Sequence, residues 1–148
     1  EWRVLFRSGG KWVDRRVADS DHNYDMGSLF IQGKTWRVIA PTDSGPQAYE
    51  AGGEVVIWES EDGGLTWKRK KQVTTLSDRN HNYVRSVVNG KSPFLYFWAD
   101  GDPNKFSASY LYIGDEKGQF WQLPYHMDAD EEKLKKPEPK KMKLDFPH

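Results

Sequence analysis

The residues that most strongly suggest chemistry belong to two copies of the tripeptide His-Asn-Tyr, at residues 22–24 and 81–83. Arg85 follows the second copy, and its planar guanidinium can hold the carboxylate of a uronic acid through paired hydrogen bonds. Neutralising that carboxylate acidifies the adjacent C–H, so a neutral His or a Tyr can remove the proton while another Tyr protonates the leaving oxygen. The predicted catalytic residues are therefore His22, His81, Tyr83 and Arg85, and the predicted substrate-binding residues are Asn23, Tyr24 and Asn82.

The repeated tripeptide has a second interpretation. In a repeat architecture the same packing positions recur, so His can bond a backbone carbonyl and Tyr can pack between repeats without any catalytic role. Both interpretations stay open. Arg85 is the stronger functional candidate because it departs from the repeat, with Asp25 or Met26 near its counterpart.

Hydrolysis of a glycosidic bond would need two carboxylates or a Tyr nucleophile with an acid. The sequence offers several candidates for these roles: Asp25, Tyr49, Glu50, Glu54 and Asp100. Tyr49 and Glu50 lie in a long loop, where an ordinary exposed segment is the favoured interpretation. The four His are not closely spaced, and no Gly-rich phosphate loop occurs, so the sequence predicts neither a metal site nor a cofactor. A structural calcium ion would leave little trace in sequence.

Composition excludes several function classes. The 22 Lys and Arg balance 22 Asp and Glu, which argues against a nucleic-acid or membrane partner recruited by bulk charge. Apolar runs are too short for a membrane span, and the absence of Cys excludes disulfides, thiolate metal sites and thiol catalysis. The start at Glu1 has neither an initiator Met nor the pattern of a signal peptide, and we interpret the sequence as an excerpt or a processed chain.

The spacing of apolar residues predicts an all-β fold, because short runs of β-branched and aromatic residues alternate with turn clusters. A first hairpin pairs residues 2–7 with 11–17. Two rounds of four strands follow, at 26–31, 35–40, 54–59 and 66–74, then at 83–88, 94–98, 110–113 and 120–123. Units of four antiparallel strands that repeat along a chain are typical of β-propeller blades, so about two and a half blades are predicted.

The predicted organisation has four parts. Residues 1–19 form the outer hairpin of a preceding blade, 20–76 one blade and 77–126 the next. Residues 127–148 are rich in both charges and poor in apolar side chains, which favours a flexible tail or linker.

Residues 60–67 carry the motif with the highest information content, Ser-Glu-Asp-Gly-Gly-Leu-Thr-Trp. It resembles the Asp-box of the BNR-repeat, sialidase-like propellers, with Ser60, Asp62, Gly64, Thr66 and Trp67 at the defined positions. The resemblance implies a structural motif that caps the hairpin between the outer strands of a blade, away from the central site. Residues 114–121 form a degenerate counterpart that keeps an acidic, Gly-rich turn followed by an aromatic residue.

Four further segments, 22–29, 45–54, 81–85 and 97–101, together resemble the BNR-type propellers of bacterial polysaccharide degradation, which include ulvan lyases and rhamnosidases. The resemblance implies a secreted or periplasmic protein, completed by further blades, that acts on a uronate- or rhamnose-containing polysaccharide by lyase-type β-elimination or glycosidic cleavage. A non-catalytic glycan-binding or scaffold propeller is the alternative, with Trp36, Trp58 and Trp98 packing or stacking on sugars. Sialidase activity is disfavoured because the Phe-Arg-Ile-Pro motif is absent.

Overall fold

The computed structural model describes residues 1–22 and 25–137, and it confirms the predicted all-β fold. Ten strands form three antiparallel sheets. The strands are β1 Trp2–Ser8, β2 Lys11–Ala18, β3 Ser28–Gln32, β4 Thr35–Asp43, β5 Glu54–Ser60, β6 Lys68–Gln72, β7 Asn80–Lys91, β8 Phe94–Gly101, β9 Leu111–Gly114 and β10 Phe120–Gln122. Sheet A is a hairpin of β1 and β2, sheet B has the order β3-β4-β5-β6, and sheet C has the order β7-β8-β9-β10. No helix that could cross a membrane is present in these residues.

Each sheet is a meander in which successive strands are neighbours. Gly9 and Gly10 close the first hairpin with φ of 55° and 77°, a backbone region that glycine enters without steric cost. Strands β3 to β6 fall within residues 20–76 and β7 to β10 within 77–126. The largest departure from the predicted strands is β7, which begins at Asn80 because His81 pairs with both Asp100 and Gly53.

The three sheets stack face to face, since alternate side chains of each strand point to opposite faces. Apolar residues of sheet A pack on one face of sheet B: Val4, Val17 and Ala18 against Val38 and Ala40. The other face of sheet B packs on sheet C and forms the larger core: Ile39, Val55, Ile57 and Val73 against Val84, Tyr96, Trp98 and Tyr112. Sheet B is therefore covered on both sides.

The outer face of sheet C is left open in the described part of the chain. Phe97 and Ile113 lie opposite each other on this face, and Trp121 continues it on β10. Phe97 is exposed, and Ile113 and Trp121 are only partly buried. A sheet face with this much uncovered apolar surface is typical of an interaction surface.

The two ends of the sheets differ in character. One end holds the turns within the hairpins, among them the turn after Ser60 that carries the Asp-box. The opposite end holds the connections at residues 44–53 between β4 and β5 and at residues 73–79 between β6 and β7. His22 and His81 both lie at this second end, because one precedes β3 and the other begins β7.

The described part of the predicted tail contacts the last strand of sheet C. Lys135 forms a two-way backbone bridge with Gln122 of β10, through N–H to O=C hydrogen bonds of 2.8 and 3.0 Å. Residues 138–148, the remainder of the predicted tail, lie outside the described residues.

Candidate functional site

The Asp-box turn follows β5 and precedes β6, the third and fourth strands of sheet B. Asp62 accepts hydrogen bonds from the Ser60 and Thr66 hydroxyls and from the amides of Leu65 and Thr66. The hydrogen bonds from Thr66 and Ser60 outweigh desolvation and hold the pKa of Asp62 well below its usual value. The carboxylate is thus occupied by its own turn.

The degenerate turn in sheet C keeps the same device. Asp115 accepts from the amides of Lys117 and Gln119, at 2.9 and 2.7 Å. It lies between β9 and β10, the position in sheet C that matches the Asp-box in sheet B. The carboxylate of the turn therefore recurs although the Ser and Thr of the box are absent.

His81 is enclosed rather than presented to a ligand. It is 4% exposed, and both ring nitrogens have protein partners. Trp98 Nε1 lies 2.9 Å from Nδ1, and Ser77 Oγ lies 2.8 Å from Nε2. Because an indole nitrogen can only donate, Nδ1 must accept, so the proton of the neutral ring sits on Nε2 and is donated to Ser77. Burial lowers the pKa of His81 to about 4, so the ring is neutral at neutral pH.

The hydrogen-bond chain from His81 ends on Glu54. Ser77 Oγ accepts from His81 and donates to Glu54 Oε2 at 2.8 Å. Glu54 also accepts from the Ser77 amide and the Thr74 hydroxyl. With its proton on the nitrogen that faces Ser77, His81 cannot deprotonate Ser77, so these residues do not form a Ser-His nucleophile.

Arg85 lies on the other face of the sheet from His81. Residues directly opposite each other in an antiparallel pair share a face, and Arg85 is opposite Phe97 whereas His81 is opposite Asp100. A bulge between Asn82 and Arg85 adds one residue to β7, so two residues four positions apart point in opposite directions. His81 and Arg85 therefore do not converge on one pocket.

His22 is also buried, with a side chain 1% exposed. Its Nδ1 lies 2.9 Å from Asp21 Oδ1, and its Nε2 lies 3.9 Å from Asp25 Oδ2, beyond hydrogen-bond distance. Neither Nε2 nor Oδ2 has a hydrogen-bond partner among the described residues. Burial raises the pKa of Asp25. Burial acts to raise the pKa of Asp21 as well, but hydrogen bonds from His22 and the Tyr49 amide lower it overall.

Asp21 and Asp25 each anchor an exposed tyrosine through its backbone. The Tyr49 amide donates to Asp21 Oδ2 and the Tyr83 amide donates to Asp25 Oδ1, both at 3.1 Å. The two tyrosines have left-handed backbones, with φ of 66° and 56°, and are 83% and 49% exposed. A bulky residue with positive φ is strained, and such strain persists where the surrounding contacts hold the backbone in place.

We call Tyr49 and Tyr83, together with the Asp21 and Asp25 carboxylates that accept from their amides and the His22 ring beside both carboxylates, the tyrosine platform. Tyr83 was predicted as a site residue, and its membership rests on the same tripeptide. Tyr49 was assigned to an ordinary loop, because a positive φ and an amide bond to Asp21 leave no mark in the sequence. The feature of the sequence that indicates these amide contacts is the pair of aspartates, Asp21 and Asp25, that flank His22.

The remaining predicted residues have separate places. Asn82 is partly buried at the start of the bulge, and Asp100 pairs with Arg79 at 2.9 Å. Asn23 and Tyr24 lie outside the described residues. Within residues 1–22 and 25–137, no group of three or more acidic or His side chains has the arrangement of a metal site.

Comparisons with models of protein families, with curated proteins and with solved structures find no match to this chain.

Proposed function

We propose that the chain is part of a β-propeller, with sheets B and C as consecutive blades and sheet A as the outer half of a preceding one. Stacked four-stranded meanders support this proposal, as does the position of the Asp-box between the third and fourth strands. The inner strands are also in contact: the Val84 amide on β7 donates to the Met26 carbonyl just before β3. A further blade of the same protein would then cover the open face of sheet C.

The same proposal places an acidic polysaccharide at the tyrosine platform. The observation that carries it is the pair of strained, exposed tyrosines whose amides are fixed by the partly buried Asp21 and by the buried Asp25 side chain. Tyrosine rings offer a large apolar face for a sugar ring and a hydroxyl for its polar groups, at a small cost in conformational entropy. A protein that acts on such an extracellular polymer is accordingly proposed to be secreted or periplasmic.

Lyase-type β-elimination is the reaction that we propose for this site. A base removes the proton next to the uronate carboxylate, the bond to the leaving oxygen breaks, a carbon–carbon double bond forms, and the leaving oxygen takes up a proton. Tyr83 is the predicted catalytic residue whose side chain reaches solvent at the platform. Arg85 follows it by two positions on β7, and His81 acts only as a structural residue.

A second candidate, non-catalytic glycan binding, is favoured by a specific observation. Both nitrogens of His81 are bonded within the protein, and Arg85 lies on the opposite face of the sheet from His81, so the predicted base and the predicted carboxylate-binding residue do not act together. A platform of two tyrosines is sufficient for binding without any residue that activates a C–H bond.

Binding and turnover are separated by one experiment. The protein is incubated with a panel of uronate-containing polysaccharides, and both retention in an affinity gel and the ultraviolet absorbance of the new double bond are measured. The joint substitution of Tyr49→Ala and Tyr83→Ala is expected to abolish retention, whereas Trp12→Ala, which removes a 69% exposed aromatic ring at the Asp-box end, should not. Unchanged retention in the double variant would overturn the platform. Retention without absorbance change would favour the binding protein over the lyase.

A further inference from the structure

A cavity of about 590 Å³ lies between the inner face of sheet C and the connection from β6 to β7. Its wall combines aromatic rings from β9 and β10 with polar side chains of the connection. The lining includes Thr75, Arg79, Asp100, Tyr110, Tyr112 and Phe120. A cavity of this size, mostly apolar with a few fixed polar groups, has the character of a small-molecule site.

Arg79 is the polar group most clearly prepared for a ligand. One guanidinium nitrogen donates to Asp100 Oδ2 at 2.9 Å, and the guanidinium stacks over the Tyr110 ring at 5.2 Å from its centroid. Its Nε–H is buried and has no acceptor among the described residues. A buried donor without an acceptor costs free energy, so an acceptor from outside the described residues that reached this atom would stabilise the protein.

Asp100 fixes the orientation of Arg79. Its Oδ1 accepts from the Tyr110 amide at 2.7 Å, and its Oδ2 accepts from the Tyr112 hydroxyl as well as from Arg79. The guanidinium is thus held against both a carboxylate and a ring, and its remaining N–H groups stay available to hydroxyl oxygens.

The charges of the cavity select the class of ligand. Arg79 is balanced by Asp100, and His81 is neutral at neutral pH because its pKa lies at about 4. The described lining residues therefore carry no unbalanced positive charge for an anionic group. Hydroxyl groups suit the donors, and the rings of Tyr110 and Phe120 suit the apolar face of a sugar.

We propose that this inter-sheet cavity binds a neutral sugar residue, with Arg79 donating to its hydroxyl groups and Tyr110, Tyr112 and Phe120 lining its apolar faces. The inference rests on the proposed function only in that the ligand is a carbohydrate. It assigns the neutral residues of the polysaccharide to the cavity and its uronates to the tyrosine platform.

The test measures binding of L-rhamnose, D-xylose and D-glucuronate to the protein by NMR chemical-shift titration. Thr75→Trp fills the cavity from an exposed position, and Val88→Trp, at an exposed residue outside the cavity, is the matched control. Arg79→Lys keeps the charge beside Asp100 but removes the Nε–H donor. We expect at least one of the two neutral sugars to bind more tightly than glucuronate, with at least a tenfold loss in Thr75→Trp, a smaller loss in Arg79→Lys and none in Val88→Trp.

The outcomes separate this inference from the proposed function. No binding of either neutral sugar, equal binding in Thr75→Trp, or tighter binding of glucuronate would overturn the cavity assignment. If the acidic polysaccharide still binds through Tyr49 and Tyr83, the proposed function survives that result. A third outcome is that the protein binds a neutral sugar, loses this binding in Thr75→Trp, and binds no acidic polysaccharide. That result would support the cavity as a sugar site and overturn the tyrosine platform as a polysaccharide site.

Discussion

His81 makes the folded state sensitive to acid, and the substitution His81→Asn tests this. The Asn side chain keeps an oxygen that can accept from Trp98 Nε1, but it cannot take up a proton. The buried imidazole of the native protein is uncharged and bonded on both sides. Adding a second ring proton would place a donor against the Trp98 N–H, which is itself a donor, and a charge in the core.

The pKa values give the size and direction of the effect. The ordinary pKa of 6.5 applies to the unfolded chain, and burial lowers it to about 4 in the folded protein. Between these values the unfolded chain binds the proton and the folded protein does not, so the stability that comes from neutral His81 is complete above pH 6.5 and is lost as the pH falls towards 4. At 1.36 kcal/mol per pKa unit, the full loss is about 3 kcal/mol.

The assay is urea unfolding of the native protein and of His81→Asn from neutral pH down to about pH 4. At neutral pH the variant should be less stable, because Ser77 loses its donor. Carboxylates elsewhere titrate in both proteins and largely cancel, so the difference in unfolding free energy should shrink by about 3 kcal/mol as the pH falls. Two profiles that run parallel over this range would refute the inferred burial and tautomer of His81.

Substitutions at Gly64 and Tyr96, with Gly63→Ala as a control for the first, test the packing of the sheets. Gly64→Ala should destabilise the protein by about 3 kcal/mol in thermal or urea unfolding, because its backbone has φ of 86° and a Cβ there would lie 2.7 Å from the Trp36 ring. Gly63→Ala, with φ of 75° and open space around its Cβ, should lose only about 1 kcal/mol, so equal losses would contradict the packing against Trp36. Tyr96→Phe should raise the unfolding free energy by about 1 kcal/mol, because the fully buried Tyr96 hydroxyl has no partner among the described residues. A loss of stability in Tyr96→Phe would show that the hydroxyl is bonded.

Strands and turns could be predicted because they depend on residues that are close together in the sequence. Alternating apolar residues placed ten strands, and the Asp-box placed the turn between β5 and β6. The two four-stranded sheets follow from the repeated order of strands and turns along the chain. A propeller requires sheets that close around a common axis, and two sheets and a hairpin do not show such closure.

The site could be predicted only in part, because it depends on a single inserted residue. With strict alternation, His81 and Arg85 would share a face of the sheet; the bulge between Asn82 and Arg85 separates them. Tyr83 lies in this bulge and has a positive φ. A tyrosine in the sequence gives no sign of such a backbone conformation. Tyr49 was missed for the same reason, since its anchor on Asp21 joins residues 28 positions apart.

Location of the bound polysaccharide tests the proposed function most directly. Hydroxyl-radical footprinting is performed on the protein alone and with an acidic polysaccharide that binds it. The measurement reports the protection of each exposed aromatic ring. Tyr49 and Tyr83 are expected to become protected while Trp12, at the Asp-box end, keeps its reactivity. Protection of Trp12 with both tyrosines still reactive would contradict the placement of the sugar on the tyrosine platform.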